Sequence, residues 1–268
     1  DDSGVKRGVN LFKILNNKIK TYNMEITEKN VIGELVAADY RTAEVFAKYE
    51  IDFCCKGNQT IHDVCEKKNI NESALIHDLS DVSKSLENTV IDYQAWPIDL
   101  LTDYIEKKHH RYVQEKTEVI KPYLTKICQV HGKGHPELLE ISDLFNESAQ
   151  LLAAHMKKEE LILFPYIRKM VLSNGGELPT HNFGTVQNPI EMMKEEHNLE
   201  GERFRKVSEL TNNYTPPEDA CNTFRVTYSL LKEFENDLHL HIHLENNILF
   251  PKAIAMESEH SQTSCAIN

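Results

Sequence analysis

The sequence predicts an all-α protein, a four-helix bundle preceded by a small helical domain. Three observations carry this reading. Glycine and proline are scarce, 10 and 9 in 268 residues, so long segments run without the residues that end helices. Those segments are rich in Leu, Ile, Lys and Glu, with apolar residues at helical spacing. One stretch, H-x-x-x-E-x-x-I-L-F-P, occurs twice, from His155 to Pro165 and from His241 to Pro251. Each copy follows a further histidine, His110 45 residues before His155 and His197 44 before His241, so the chain reads as two matched halves.

The elements follow in order. Residues 1–23 are a basic extension in which Leu11, Phe12, Ile14, Leu15 and Ile19 can form a short amphipathic helix, without the apolar core of a secretory signal. Residues 24–80 are expected to form the small domain. Thr27 caps a first helix through Val31, Leu35 and Val36, and a second carries Ala43, Val45, Phe46 and Tyr49. Gly57 turns the chain after Ile51-Asp52-Phe53-Cys54-Cys55-Lys56, and Thr60 with Asp63 forms a loose capping box on a third helix. A fourth starts near Ser73. Residues 81–95 read as a linker.

The bundle is expected over 96–256. Its first helix opens at Trp96-Pro97, carries His109 and His110, and is kinked or divided by Pro122. The second opens at Pro136 and carries His155 and Glu159 to about Val171. The third opens at Asn188-Pro189, an N-cap and N1 pair, and carries His197. The fourth opens at Pro216-Pro217 and carries His241 and Glu245. The tail, 257–268, is polar and expected to be disordered.

Charge and composition exclude several classes. A formal net charge of −12 without a basic stripe argues against a nucleic-acid surface or an acidic membrane face. No apolar run reaches 18 residues, so no membrane helix is predicted. Six scattered cysteines do not make a secreted disulfide framework, and a reducing cytoplasm is the simpler setting.

The repeated stretch carries the chemistry. Residues i and i+4 share one face of a helix, so each copy aims an imidazole and a carboxylate in one direction. Four antiparallel helices would gather His110, His155, His197 and His241 with Glu159 and Glu245 in the bundle core, as di-metal carboxylate bundles do. Burying two carboxylates without a cation costs several kcal/mol each, which outweighs the plainer reading of core histidines. Two bridging carboxylates and imidazoles suit two iron ions, with zinc and manganese chemically admissible. The E-x-x-H spacing of ferritin-like sites fails here, and a haemerythrin-type arrangement fits better.

Repeat spacing selects His110 over His109, since His110 to His197 is 87 residues and His155 to His241 is 86. His109 is then solvent-facing or an outer partner. His239 and His243, at i±2 from His241, are read as surface residues. His131 and His135 lie outside the repeat, and spacing alone leaves a fifth ligand and a loop residue equally open.

With these motifs in hand, the chain resembles the repair-of-iron-centres family, haemerythrin-like di-iron proteins of the YtfE/ScdA type, from about residue 28 to 254. The resemblance rests on His109-His110-Arg111-Tyr112, Val130-His131-Gly132, His155 to Glu160, Glu195-Glu196-His197, His241 to Pro251, and Ile51-Asp52-Phe53-Cys54-Cys55. It departs at Glu50 and Lys56, where the family commonly has Gly. It implies the ligands His110, His131, His155, His197 and His241, bridging Glu159 and Glu245, and two non-haem irons in an Fe–O–Fe type centre. It further implies repair of iron–sulfur clusters damaged by nitrosative and oxidative stress. The clients are then damaged iron–sulfur proteins, and the small ligands nitric oxide or dioxygen. Iron donation and a nitric oxide reductase-type activity both stay open.

Cys54 and Cys55 are expected to be redox or metal-handling thiols, with Lys56 favouring thiolate. Cys65 reads as a core residue, and a C-C-x6-H-x2-C site with His62 is weakly indicated. Other readings are a haemerythrin-like module that binds or senses oxygen or nitric oxide, and a purely structural metal bundle. A separable small domain also allows exchange within a homodimer.

Overall fold

The computed structural model describes residues 26–84, 91–173, 178 and 181–266, apart from the side chains of 84 and 261–266. The expectations placed on residues 1–23, and Met24 itself, lie outside the described residues. Among the described residues four short helices come first: α1 (Ile32–Ala38), α2 (Thr42–Lys48), α3 (Ile61–Lys68) and α4 (Glu72–Lys84). At α3 the Thr60 side chain accepts from the Asp63 N–H while the Asp63 carboxylate accepts from the Thr60 N–H, a full capping box. Thr27 does not cap α1; its N–H and hydroxyl both donate to Asn30 Oδ1, and Val31 takes the N-cap position.

Four long rods follow. The first joins α5 (Ile98–Tyr104) through a π-helical turn, Ile105–His110, to α6 (Arg111–His131). The second joins α7 (Glu137–Lys158) through the π-turn Glu159–Leu163 to α8 (Phe164–Ser173). The third is α9 (Gln187–Leu210). The fourth joins α10 (Asn222–Leu244) through the π-turn Glu245–Leu249 to α11 (Phe250–Ala266). The first rod packs on the second and fourth and the second on the third. Phe204 of α9 stacks on Phe234 of α10 at 5.6 Å, closing the ring, and Phe145 of α7 meets Phe234 edge-on at 5.2 Å. The described residues are mostly helical with no strand among them, as composition and periodicity predict.

Several boundaries differ from the expectations. Pro122 does not divide the helix, because α6 runs on through it to His131. Asn188-Pro189 is not the start of the third rod. Val186 is its N-cap, and its N–H donates to the Glu257 carboxylate at 2.9 and 3.0 Å. Glu257 also accepts from Tyr166 Oη at 2.7 Å. The tail expected to be disordered is instead helix, anchored at Glu257, and α11 continues to Ala266. Pro216-Pro217 forms a turn closed by Ala220 N–H on Pro217 O, and α10 begins later, after Cys221.

The apolar core falls into two clusters. One joins α1–α4 to Phe145, Phe204, Phe224 and Phe234; the other gathers Leu101, Ile105, Phe164, Ile167, Ile190, Leu244 and Phe250. The polar residues described below lie between them. Three hydrogen bonds help to seat the short helices and the loop between them on the bundle. Arg205 donates to Asp52 at 2.8 Å, Asn246 Nδ2 to Cys54 O at 3.1 Å, and Asn247 Nδ2 to Phe53 O at 3.2 Å.

Glu50, where the family resemblance led us to expect Gly, has φ +54°. Its left-handed backbone is what Gly adopts freely and a side chain resists, and Lys68 Nζ donates to its carbonyl. Glu50→Gly should therefore stabilise the protein by about 0.5–1 kcal/mol. A rise in thermal midpoint would show this, and a fall would mean that the Glu50 side chain outweighs its backbone strain.

Candidate metal centre

Three of the four rods widen into π-turns at one level, and the residues that open or close those turns are His110, Glu159 and Glu245. A π-turn shifts the side chains that follow it around the helix, and such turns concentrate at functional sites. Pro165 and Pro251 fall just beyond two of them, and the helices pass through both prolines.

The structure brings together His110, His155, His197, His241, Glu159 and Glu245, all almost fully buried. Their donor atoms form two groups. His110, His241, Glu159 and Glu245 make one; His155, His197, Glu159 and Glu245 make the other; within each, the atoms lie within 4.8 Å of one another. Both carboxylates belong to both groups. His110 and His155 Nε2 lie 3.4 and 3.3 Å from Glu159 Oε2. His197 Nε2 is 3.1 Å from Glu245 Oε2, and His241 Nε2 is 3.0 Å from Glu245 Oε1.

Partners on the far side of the rings aim them inward. His110 Nδ1 lies 3.0 Å from Glu160 Oε1, His155 Nδ1 2.8 Å from Glu196 Oε2, and His197 Nδ1 2.9 Å from Asn246 Oδ1. An imidazole that donates from Nδ1 presents its Nε2 lone pair to a cation. Phe164 stacks on His110 at 5.6 Å and Phe250 on His197 at 6.0 Å, which accounts for the phenylalanine in both copies of the repeat. Glu160 and Asn246 are likewise equivalent, each one residue past the shared carboxylate.

The donor set fits a cation. Among the described residues, neither Glu159 oxygen accepts a hydrogen bond, and His110 Nε2 and Glu245 Oε2 are buried without one. His155 Nε2 and His197 Nε2 face each other at 3.0 Å, so two lone pairs converge unless a proton or a metal stands between them. Burial and the Glu245 charge push Glu159 up to about 7, against the pull of His155, His241 and His197. Burial opposes ionisation of Glu245 too, but His241 and His197 hold it well below the usual range. Burial would lower His197, yet the Glu245 carboxylate prevails and raises it to about 9. The imidazoles thus satisfy one carboxylate and leave the other short of positive charge.

Other histidines lie elsewhere than the sequence predicts. His131 is not at this centre. It ends α6, 21 residues beyond His110, or roughly 30 Å along the rod at helical rise, beside Cys221 and Phe224. His243 is buried and His239 half-buried rather than on the open surface, because the dicysteine loop lies over their face of α10. Phe53 meets both, at 5.9 and 6.1 Å, and Tyr40 also meets His243. His109 is fully buried, with Nδ1 3.0 Å from Asp237 Oδ2 and its ring stacked on His241 at 5.7 Å. It occupies the place that Glu196 takes beside His155 in the other half. Sequence reasoning missed Glu160, Glu196 and Asn246 as partners, although their fixed offsets from the repeated His and Glu were visible.

The dicysteine loop lies against the centre. Cys55 Sγ is 3.3 Å from His197 O and 3.6 Å from Cys54 Sγ, and Gly201 leaves room for it, since a Cβ there would lie 3.1 Å from that sulfur. Asn246 spans both parts, with one amide atom on His197 and the other on Cys54 O. Lys56 does not make Cys54 a thiolate. The bond to Cys55, burial and the nearby Asp52 charge push the Cys54 thiol up. Asp52, Cys54 and Cys55 form a further donor group. Cys65 is a core residue, and His62 pairs with Glu72 at 2.9 Å, so the C-C-x6-H-x2-C site is not assembled.

A bundle with inward His and Glu at this spacing is of the haemerythrin class, and residues 102–253 match the family model described as "Hemerythrin HHE cation binding domain". Residues 28–83 match "Domain of Unknown function (DUF542)". The chain is 32% identical over 228 residues to a protein of Staphylococcus haemolyticus named iron-sulfur cluster repair protein ScdA, covering 85% of this chain and 99% of that one. It is 36% identical over 230 residues to iron-sulfur cluster repair protein YtfE of Yersinia pestis, covering 84% and 97%. The chain belongs to the haemerythrin-like ScdA/YtfE family of iron–sulfur cluster repair proteins. Among the described residues no helix is long and apolar enough to cross a membrane.

Glu159→Gln should have opposite effects on the two states. It removes a buried charge that lacks a donor, so the metal-free protein should gain about 1–3 kcal/mol. It should also cut bound metal below half of the wild-type content. Thermal melts with and without chelator, with elemental analysis, read both. Unchanged metal content would remove Glu159 from the donor set.

Proposed function

We propose that the chain holds a dinuclear non-haem iron centre and uses it to repair damaged iron–sulfur clusters. His110 and His241 would hold one ion, His155 and His197 the other, with Glu159 and Glu245 bridging. The observation that carries this is the sharing of both carboxylates by two separate imidazole pairs. Borderline imidazole and hard carboxylate donors together suit iron. Such a pair supplies, when bound, reversible electron transfer and sites for small diatomic ligands such as nitric oxide. The repair role is supported by the printed names of the relatives.

The chain's own residues define the rest. Glu160, Glu196 and Asn246 orient the imidazoles, and Phe164 and Phe250 cover two of them with apolar surface that keeps water away. Asp52, Cys54 and Cys55 stand against the backbone of His197. This placement suits thiols that receive iron leaving the centre or deliver electrons to it. Cys54, buried and beside Cys55 and Asp52, keeps its proton and serves as the held-back member of the pair, while Cys55 is the partly exposed one.

The test is recovery of a nitric-oxide-damaged [4Fe–4S] hydratase by the iron-loaded protein. Wild type should restore its activity. The double variant Cys54→Ser, Cys55→Ser should keep its iron yet restore less than about a fifth as much, since serine offers a much weaker iron ligand and no redox chemistry. Full recovery with the double variant would remove the thiols from the mechanism. Stable binding of oxygen with no client recovery by the wild type would favour a carrier or sensor.

A further inference from the structure

The end of the bundle remote from the metal centre carries a second cluster of reactive side chains. Cys221 is the N-cap of α10, a helix of 23 residues, and its side chain is exposed. Its sulfur makes no capping hydrogen bond, but it stands at the positive end of the helix dipole, where the Phe224 and Thr223 N–H groups favour its ionised form. From the C-terminus of α6, His131 Nε2 comes to 3.2 Å from the same sulfur. Phe224 holds this arrangement from below, with its ring 5.3 Å from His131 and 5.4 Å from His135. His135 is itself fixed by Glu137 at 3.0 Å and Asp219 at 3.2 Å. The other described cysteines lack such a setting. Cys54 and Cys65 are buried, Cys128 Sγ donates to Leu138 O, and Cys55 sits on His197 O.

We infer that Cys221 and His131 form a reactive thiol site that undergoes exchange with low-molecular-weight disulfides, separate from the dicysteine loop. The helix N-terminus and the imidazole both favour the thiolate, the nucleophilic form. The Phe224 N–H, then the His131 imidazole, hold the Cys221 thiol below the usual range, which agrees with this geometry. In the exchange the Cys221 sulfur attacks one sulfur of the disulfide. A new S–S bond forms, the old one breaks, and its electron pair leaves on the other half as a thiolate that takes up the proton Cys221 gave up. The result is a mixed disulfide, reversed by any small thiol. No external oxidant beyond the disulfide is needed. Sequence reasoning weighed His131 as an iron ligand or a loop residue, and the repeat offered no reason to inspect Cys221.

The test uses the full, iron-loaded chain with Cys265→Ser, which removes the cysteine whose side chain lies outside the described residues. Excess 2-hydroxyethyl disulfide, a neutral probe, is added at pH 7, and adducts are located by peptide mass spectrometry over time. A peptide spanning residues 216–226 gives the rate of the same cysteine without the fold. Cys221 should be modified first, at least about threefold faster than in the peptide. The gain in thiolate fraction outweighs the accompanying loss of nucleophilicity, which takes back only about half of it on a logarithmic scale. His131→Gln should bring the rate back towards the peptide value without altering iron content. A rate for Cys221 at or below that of the peptide would overturn the inference. So would an undiminished rate in a folded His131→Gln variant. If that variant fails to fold, the comparison with the peptide decides alone.

Discussion

The structure depends on one electrostatic constraint, two carboxylates and four imidazoles placed at the centre of an apolar bundle. Each buried carboxylate must be matched by positive charge or lose several kcal/mol. Protons on the imidazoles satisfy Glu245 better than Glu159, and His155 and His197 aim their Nε2 atoms at one point. Cations at the two donor groups would resolve these conflicts together. The separation of the core into two apolar clusters follows from the same layer, since neither can extend through it.

The layer is built twice by the same device. In each half a histidine from one rod faces a His and Glu from the next, a phenylalanine stacks on it, and the residue after the carboxylate orients it. The halves diverge in what surrounds the donors. Glu160 is replaced by Asn246, whose amide can donate as well as accept, and so ties the second half to the dicysteine loop. Glu196 has its counterpart in His109, which cannot act as a carboxylate towards His241. One half of the centre therefore faces the thiols, and the other has a wholly different outer environment.

Much of this was legible in the sequence, for reasons that particular residues illustrate. The pairs His155/Glu159 and His241/Glu245 were visible because i, i+4 spacing is a local property of a helix. His110 was separated from His109 by the repeat, without knowledge of packing. Contacts between distant segments were not legible. His239 and His243 looked exposed because nothing in their own helix shows that Phe53 and Tyr40 cover them. His131 was assigned to the centre by resemblance alone, although a continuous helix through Pro122 carries it far from His110. The π-turns were also hidden, since a one-residue widening leaves the apolar periodicity nearly unchanged.

The most direct test of the central claim is the Mössbauer spectrum of protein purified from iron-replete cells, together with its metal content. A dinuclear centre bridged by Glu159 and Glu245 predicts two irons per chain with magnetically coupled spins. One iron per chain, two uncoupled irons, or zinc in their place would contradict it.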